Sequence, residues 1–177
     1  MFQRSYILPP TPDYPLSIVA KRYWPPHCSN AENPAAQTLI VLHSTSFHKE
    51  TWEPTLQDLF ELVLSQSNTE VLIRDAWAVD CPNHGESGVL NSQALKDPQF
   101  TNCVSLFFIL CFCLWIPGPF PLTNLHSILW KVSCERYAHA VHRFLSSGPE
   151  SSIPVDFRRC NLVGLGHSLG ANAMYVN

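Results

Sequence analysis

Apolar positions fall into short dense runs, separated by stretches with helical spacing. Thr38 to Leu42, TLIVL, is a β-branched and leucine run that reads as a buried strand. Val71 to Val79 is a second buried strand, and Leu162, Val163 and Leu165 lead a third into Gly166. A shorter strand candidate, Leu16 to Trp24, lies among N-terminal proline turns, followed by a polar loop through residues 29–36. From about Lys49, Trp52, Leu56, Leu59, Phe60 and Val63 recur three and four apart and predict a helix. Ser133 to Leu145 predicts another, with Tyr137, Val141 and Leu145 four apart and Ser133 as N-cap, and Pro154 to Cys160 connects it to the third strand. Strands apolar on both faces, alternating with helices, predict an α/β fold: a mostly parallel sheet with flanking helices. Residues 1–37 supply an N-terminal strand and proline-rich loops, and residues 38–177 the core.

One segment breaks the rhythm. Residues 104–122, VSLFFILCFCLWIPGPFPL, are dense in Phe, Leu and Cys and end in a proline cluster. As a membrane span the segment is poor: Leu106 to Ile116 makes about 16 Å of helix against a roughly 30 Å hydrocarbon core. No Lys or Arg lies on its immediate flanks to orient it. It falls where connections are normally short. The preferred expectation is an insert foreign to the fold, such as a retained intron translated in frame. The alternatives are a hydrophobic lid over a lipid-like substrate and a membrane contact through Leu106 to Ile116.

Composition narrows the partners. With 46% apolar and 14% charged residues in 177, the chain suits one globular domain or the greater part of one. A net charge of −3 without a Lys/Arg cluster recommends neither nucleic acid nor an acidic membrane surface. Seven scattered cysteines, an odd number, lack a C-x-x-C pair. The N-terminus has no signal-peptide layout, and the C-terminus matches no lipidation or peroxisomal address. An intracellular, cytoplasmic protein with reduced thiols is the expectation, with a membrane location as the alternative. The histidines lack metal-ligand spacing, so no metal is expected.

Chemistry concentrates in Asn161 to Met174, NLVGLGHSLGANAM. Gly166-His167-Ser168-Leu169-Gly170 between an apolar strand and small helix formers is a nucleophile elbow, G-x-S-x-G. The sharp turn needs small residues beside the serine because neighbouring segments approach closely. Two further landmarks precede it: His43-Ser44-Thr45-Ser46-Phe47 after the first buried strand, and Asp80-x-x-x-His84-Gly85-x-Ser87 after the second.

These three ordered motifs resemble the N-terminal half of the α/β-hydrolase superfamily, in the AB hydrolase-1 branch whose motifs read H-G, D-x-x-G-H-G-x-S and G-x-S-x-G. The run Phe47-His48-Lys49-Glu50 is similar to fungal members. The resemblance implies an incomplete α/β-hydrolase fold lacking its C-terminal strands, and hydrolysis of a small-molecule ester, thioester or similar acyl bond without a cofactor. It makes Ser168 the nucleophile. Backbone N–H groups of Leu169 and of Thr45 or Ser44 would form the oxyanion hole. Ser44 stands where the family usually has glycine, so its side chain would narrow the pocket or shift that donor. His43, Asp80, His84 and Gly85 would shape the loops, as would Ser87, and Gly166 and Gly170 would permit the elbow. A catalytic carboxylate at Asp80 or Glu86 is the lesser alternative. His167 is set aside as a base because neighbouring side chains on a tight elbow diverge.

In this family the acid and histidine follow the nucleophile. Only 177 − 168 = 9 residues follow Ser168 here, and none is acidic or histidine. The expectation is therefore a serine hydrolase by resemblance that is inactive as written and exposes apolar surface. The alternative is a non-catalytic pseudo-hydrolase fragment that binds a partner through its sheet edge or sits at a membrane. Neither substrate identity nor oligomeric state follows from the sequence.

Overall fold

The structure, a computed structural model, describes residues 1–26, 30–65, 71–97, 100 and 123–175. Among these residues five strands form one sheet: β1 (Phe2–Leu8), β2 (Ile18–Trp24), β3 (Gln37–Leu42), β4 (Ile73–Val79) and β5 (Asn161–Gly166), in the order β1-β2-β4-β3-β5. β3 runs parallel to both β4 and β5, while β2 is antiparallel to β1 and to β4. β2 alone therefore runs against the others, and the sheet is mixed but mostly parallel.

Alternation along the central strands divides the core. Ile40 and Leu42 of β3 and Trp77 and Val79 of β4 face a cluster that includes Tyr137, Val141 and Phe144 of α3 (Thr123–Ser146) and Leu169 and Ala173 of α4 (Leu169–Tyr175). Leu39, Val41, Ala76 and Ala78 face the other way, onto Leu56 and Phe60 of α1 (Glu53–Ser65). A period of two sends successive side chains to opposite faces, so strands buried on both sides need helices on both. This α/β arrangement is the predicted one. β5 lies at the end of the sheet and is mostly exposed or half-buried, whereas β3 is buried from Thr38 on.

Several boundaries differ from expectation. Helix α3 starts at Thr123, so Ser133 is an interior position rather than an N-cap. The helix expected from Lys49 opens as a 3-10 turn, Lys49–Trp52, before α1 proper, whose Pro54 falls in the first turn, where a missing N–H costs no helical bond. Residues 85–90, read as loop through Ser87, form a short helix α2 (Gly85–Leu90). Strand β1 was not predicted: its first residues are exposed, and it pairs in regular register with β2 from Phe2 opposite Trp24 to Leu8 opposite Ile18.

The insert at 104–122, with its intron, lid and membrane readings, lies outside the described residues. Among the described residues no helix is long and apolar enough to cross a membrane.

Candidate active site

Parallel pairing brings the three sequence landmarks to one end of the sheet. Leu42 lies opposite both Val79 and Gly166, so the segments after β3, β4 and β5 leave side by side. Next to Leu42, the chain turns through Gly166-His167-Ser168 into α4. The His167 N–H donates to the Leu42 carbonyl at 3.1 Å, and the Gly170 N–H returns to the His167 carbonyl at 3.0 Å.

Ser168 itself has φ +52 and is exposed. A non-glycine residue in the left-handed region costs roughly 1–2 kcal/mol, so the surrounding turn must hold it there. The flanking glycines make that turn compact. A Cβ on Gly166 would collide with the Ala171 backbone, and one on Gly170 with the Leu42 carbonyl. The Ser168 carbonyl accepts from both the backbone N–H (3.1 Å) and the side-chain amide (3.0 Å) of Asn172. Leu169 is the first residue of α4, where an N–H has no intrahelical acceptor.

The loop after β3 is built on His43, which is buried. Its Nδ1 lies 2.8 Å from the Ser44 carbonyl, and its Nε2 accepts the Cys81 N–H at 2.9 Å. Those partners make it the neutral Nδ1–H tautomer, and burial holds its pKa below the ordinary imidazole value. Ser44 is buried. Thr45 is half-buried, with a hydroxyl that is shielded and has no partner among the described residues. Ser46 takes φ +66 and donates its N–H to Nε2 of His84 at 3.0 Å. His84 Nδ1 lies 2.7 Å from the Asn83 side-chain oxygen, and burial and the neighbouring His43 lower its pKa to about 4.

Asp80 is wholly buried and fully engaged. One carboxylate oxygen accepts the Lys49 N–H at 2.8 Å. The other accepts the Lys49 ammonium at 3.0 Å and the Glu86 N–H at 3.0 Å, with the Ser87 N–H at 3.4 Å. Those last two amides open α2, so the carboxylate lies where a helix favours negative charge. Gly85, at φ +52, lies against the same carboxylate: a Cβ there would fall 2.5 Å from its Oδ1. The Ser87 hydroxyl accepts the Val19 N–H at 2.8 Å, tying α2 to β2. Glu86 is exposed, and its carboxylate lies 3.3 Å from the Lys49 ammonium.

Sequence reasoning passed over three residues that organise this end of the sheet. Lys49 is buried with its ammonium against Asp80, Glu50 and Glu86; burial alone would lower its pKa, but the carboxylates leave it raised. Tyr137, wholly buried, donates to the Val79 carbonyl at 2.7 Å and accepts the His43 N–H at 3.2 Å. Asn91 clamps Ser17 and Pro82 from the far end of α2. A cavity of about 240 Å³ lies toward the opposite end of the sheet, lined by Arg22, Trp24, Pro25, Pro26, Ala31 and Arg74, and none of the candidate residues borders it. Among the described residues no group of three His, Cys, Asp or Glu could hold a metal ion.

The fold and the strand–turn–helix around Ser168 define a mostly parallel α/β sheet protein with a strained, exposed serine at the end of a strand. No family model matches the chain, and no curated protein sequence matches it. Among solved structures, it is similar to the peroxisomal alpha-beta-hydrolase Lpx1 from Saccharomyces cerevisiae, at 17% identity and a TM-score of 0.48. The match covers 96% of this chain and 37% of that one.

Proposed function

We propose that this chain carries the nucleophile and oxyanion half of a serine-type hydrolase site for ester, thioester or similar acyl bonds. The observation that carries the reading is the exposed Ser168 at φ +52, in a turn whose flanking glycines leave no room for a Cβ. The Ser168 Oγ attacks the acyl carbon, its proton passes to a base, and the leaving group departs with a proton. Water then releases the acyl group from the serine. The N–H groups of Leu169 and of Thr45 or Ser44 receive the developing oxyanion, a contribution of about 2.7–4 kcal/mol per donor. His43, Asp80, His84 and Gly85 act on the loops rather than on substrate.

Neither His43 nor His84 is free to act as the base. Both ring nitrogens of His43 and of His84 are engaged in hydrogen bonds, and the nine residues after Ser168 include no histidine. Without a base a serine hydroxyl is a weak nucleophile at neutral pH, so reaction at Ser168 in these 177 residues should depend on a base supplied from outside.

Chemical rescue tests this reading. The folded chain is incubated with a fluorophosphonate probe and increasing imidazole, which serves as the exogenous base, and modified peptides are located by mass spectrometry. Imidazole-dependent labelling at Ser168, absent in Ser168→Ala, is the expected result. An unlabelled Ser168 in folded protein at every imidazole concentration would sink the hydrolase reading and favour a non-catalytic binding protein.

A further inference from the structure

The His43 and His84 rings lie 5.3 Å apart between centroids, one at the end of β3 and the other just before α2. Each ring has its Nδ1 beside a carbonyl or amide oxygen and its Nε2 facing a backbone N–H. For His84, the Asn83 oxygen can only accept, so Nδ1 carries the proton and Nε2 is left with a lone pair for the Ser46 N–H. Protonating Nε2 would set two donors against each other.

Ser46 is where that bond is needed. Its φ of +66 is unfavourable for serine, it is exposed, and the His84 bond crosses from the segment after β3 to the segment after β4. The Phe47 N–H returns to the Ser44 carbonyl at 3.2 Å, closing the turn that contains Thr45 and Ser46. Ser44 is buried and its carbonyl is also held by His43 Nδ1, so the part of the turn that relies on the His84 acceptor is Thr45 and Ser46.

We infer that neutral His84 is a positioning residue for this turn, and that acid releases the Ser46 N–H and withdraws the Thr45 amide from the site beside Ser168. The consequence for chemistry rests on the Ser168 reading above, whereas the pinning itself does not.

Charged and titratable groups face the pair from each packed element. Asp80 at the end of β4 favours protonation of both rings, with its Oδ1 3.9 Å from His43 Nε2. Lys49 and His48, before α1, oppose protonation of His43, and His43 opposes that of His84. Glu86 of α2 is paired to Lys49, and the Tyr137 hydroxyl of α3 holds the His43 N–H. Burial outweighs Asp80 and leaves His84 with a pKa of about 4, so the release is expected as pH falls toward 4.

Hydrogen exchange of the full chain, corrected for the intrinsic pH dependence of exchange, tests the pin without using Ser168. Protection of the segment containing Ser46 should fall about tenfold between pH 6 and pH 4, the size of one hydrogen bond. His84→Gln, whose side-chain oxygen can accept the same N–H but does not titrate, should keep protection flat across that range. His84→Phe, which cannot accept, should lose it already at pH 6. Unchanged wild-type protection down to pH 4, or an equal fall in His84→Gln, would overturn the inference. An inert Ser168 beside a pH-released turn would instead count against the hydrolase reading alone.

Discussion

Lys49 and Asp80 form an ion pair at 3.0 Å with side chains 1% and 0% exposed, joining the start of the 3-10 turn before α1 to the end of β4. Desolvating both charges is expensive, and the pair is sustained because Asp80 also accepts backbone N–H groups from Lys49 and Glu86. Removing one partner leaves the other charge buried. Asp80→Ala and Lys49→Met are each expected to cost about 3–5 kcal/mol, and the double variant clearly less than the sum. Urea unfolding midpoints of the four proteins give the coupling. Additive single losses would show that the pair does not act as a unit.

The elbow makes a prediction of opposite sign. Since Ser168 holds a left-handed φ, glycine relieves strain there, offset in part by its greater freedom in the unfolded chain. Ser168→Gly should be more stable than Ser168→Ala by about 0.5–1 kcal/mol. Gly170→Ala should lose about 1–3 kcal/mol, because the new methyl meets the Leu42 carbonyl in a part of the turn with no slack. Thermal melts of the three variants suffice. A Ser168→Gly protein less stable than Ser168→Ala would mean that the turn is not under strain.

What could be read from the sequence was what is local. Gly166, Ser168 and Gly170 fall within five residues, and the turn they make is set by their own sterics together with the carbonyl of the adjacent strand. Asp80 and Gly85 are likewise close in sequence, and the glycine is where the carboxylate leaves no space for a Cβ. Lys49 and Tyr137 carried no such mark. The lysine meets Asp80 from 31 residues away and the tyrosine meets Val79 from 58, and only the fold supplies those partners. Helix α2 was hidden for a different reason. Gly85 and Gly88 lower its helical propensity, and what favours its first turn is the Asp80 carboxylate accepting the Glu86 and Ser87 amides. Strand β1 was hidden because its early positions are exposed and carry no apolar alternation to detect.

Acid should weaken the fold through the two histidines. Burial lowers the pKa of both, taking His84 to about 4 from an ordinary 6.5. A folded value below the unfolded one means that the unfolded chain binds more protons between those limits. Stability therefore rises with pH across the window and is lost as pH falls from about 6.5 toward 4. Urea midpoints between pH 4.5 and pH 7 should show this, with a shallower slope in His84→Gln, and the difference between the two proteins removes the contribution of carboxylates common to both. Parallel slopes would mean that His84 titrates alike in the folded and unfolded chains.

Two buried tyrosines offer a matched comparison. The Tyr137 hydroxyl bridges the Val79 carbonyl and the His43 N–H, so Tyr137→Phe strands two backbone groups at the ends of β4 and β3. Its ring contact with His43, 5.4 Å between centroids, survives the change. The expected loss is about 1–3 kcal/mol, the cost of buried groups left unsatisfied. The Tyr14 hydroxyl is also buried but has no hydrogen-bond partner among the described residues, so Tyr14→Phe deletes a desolvated polar atom and should be neutral or stabilising. The Tyr14 ring keeps its position under the Arg143 guanidinium, 5.0 Å away, in either form. Chemical denaturation of the two variants side by side reads the difference. Equal losses would mean that the Tyr137 bridge adds nothing beyond an ordinary buried hydroxyl, and that the ends of β3 and β4 are held by Asp80 and His43 without it.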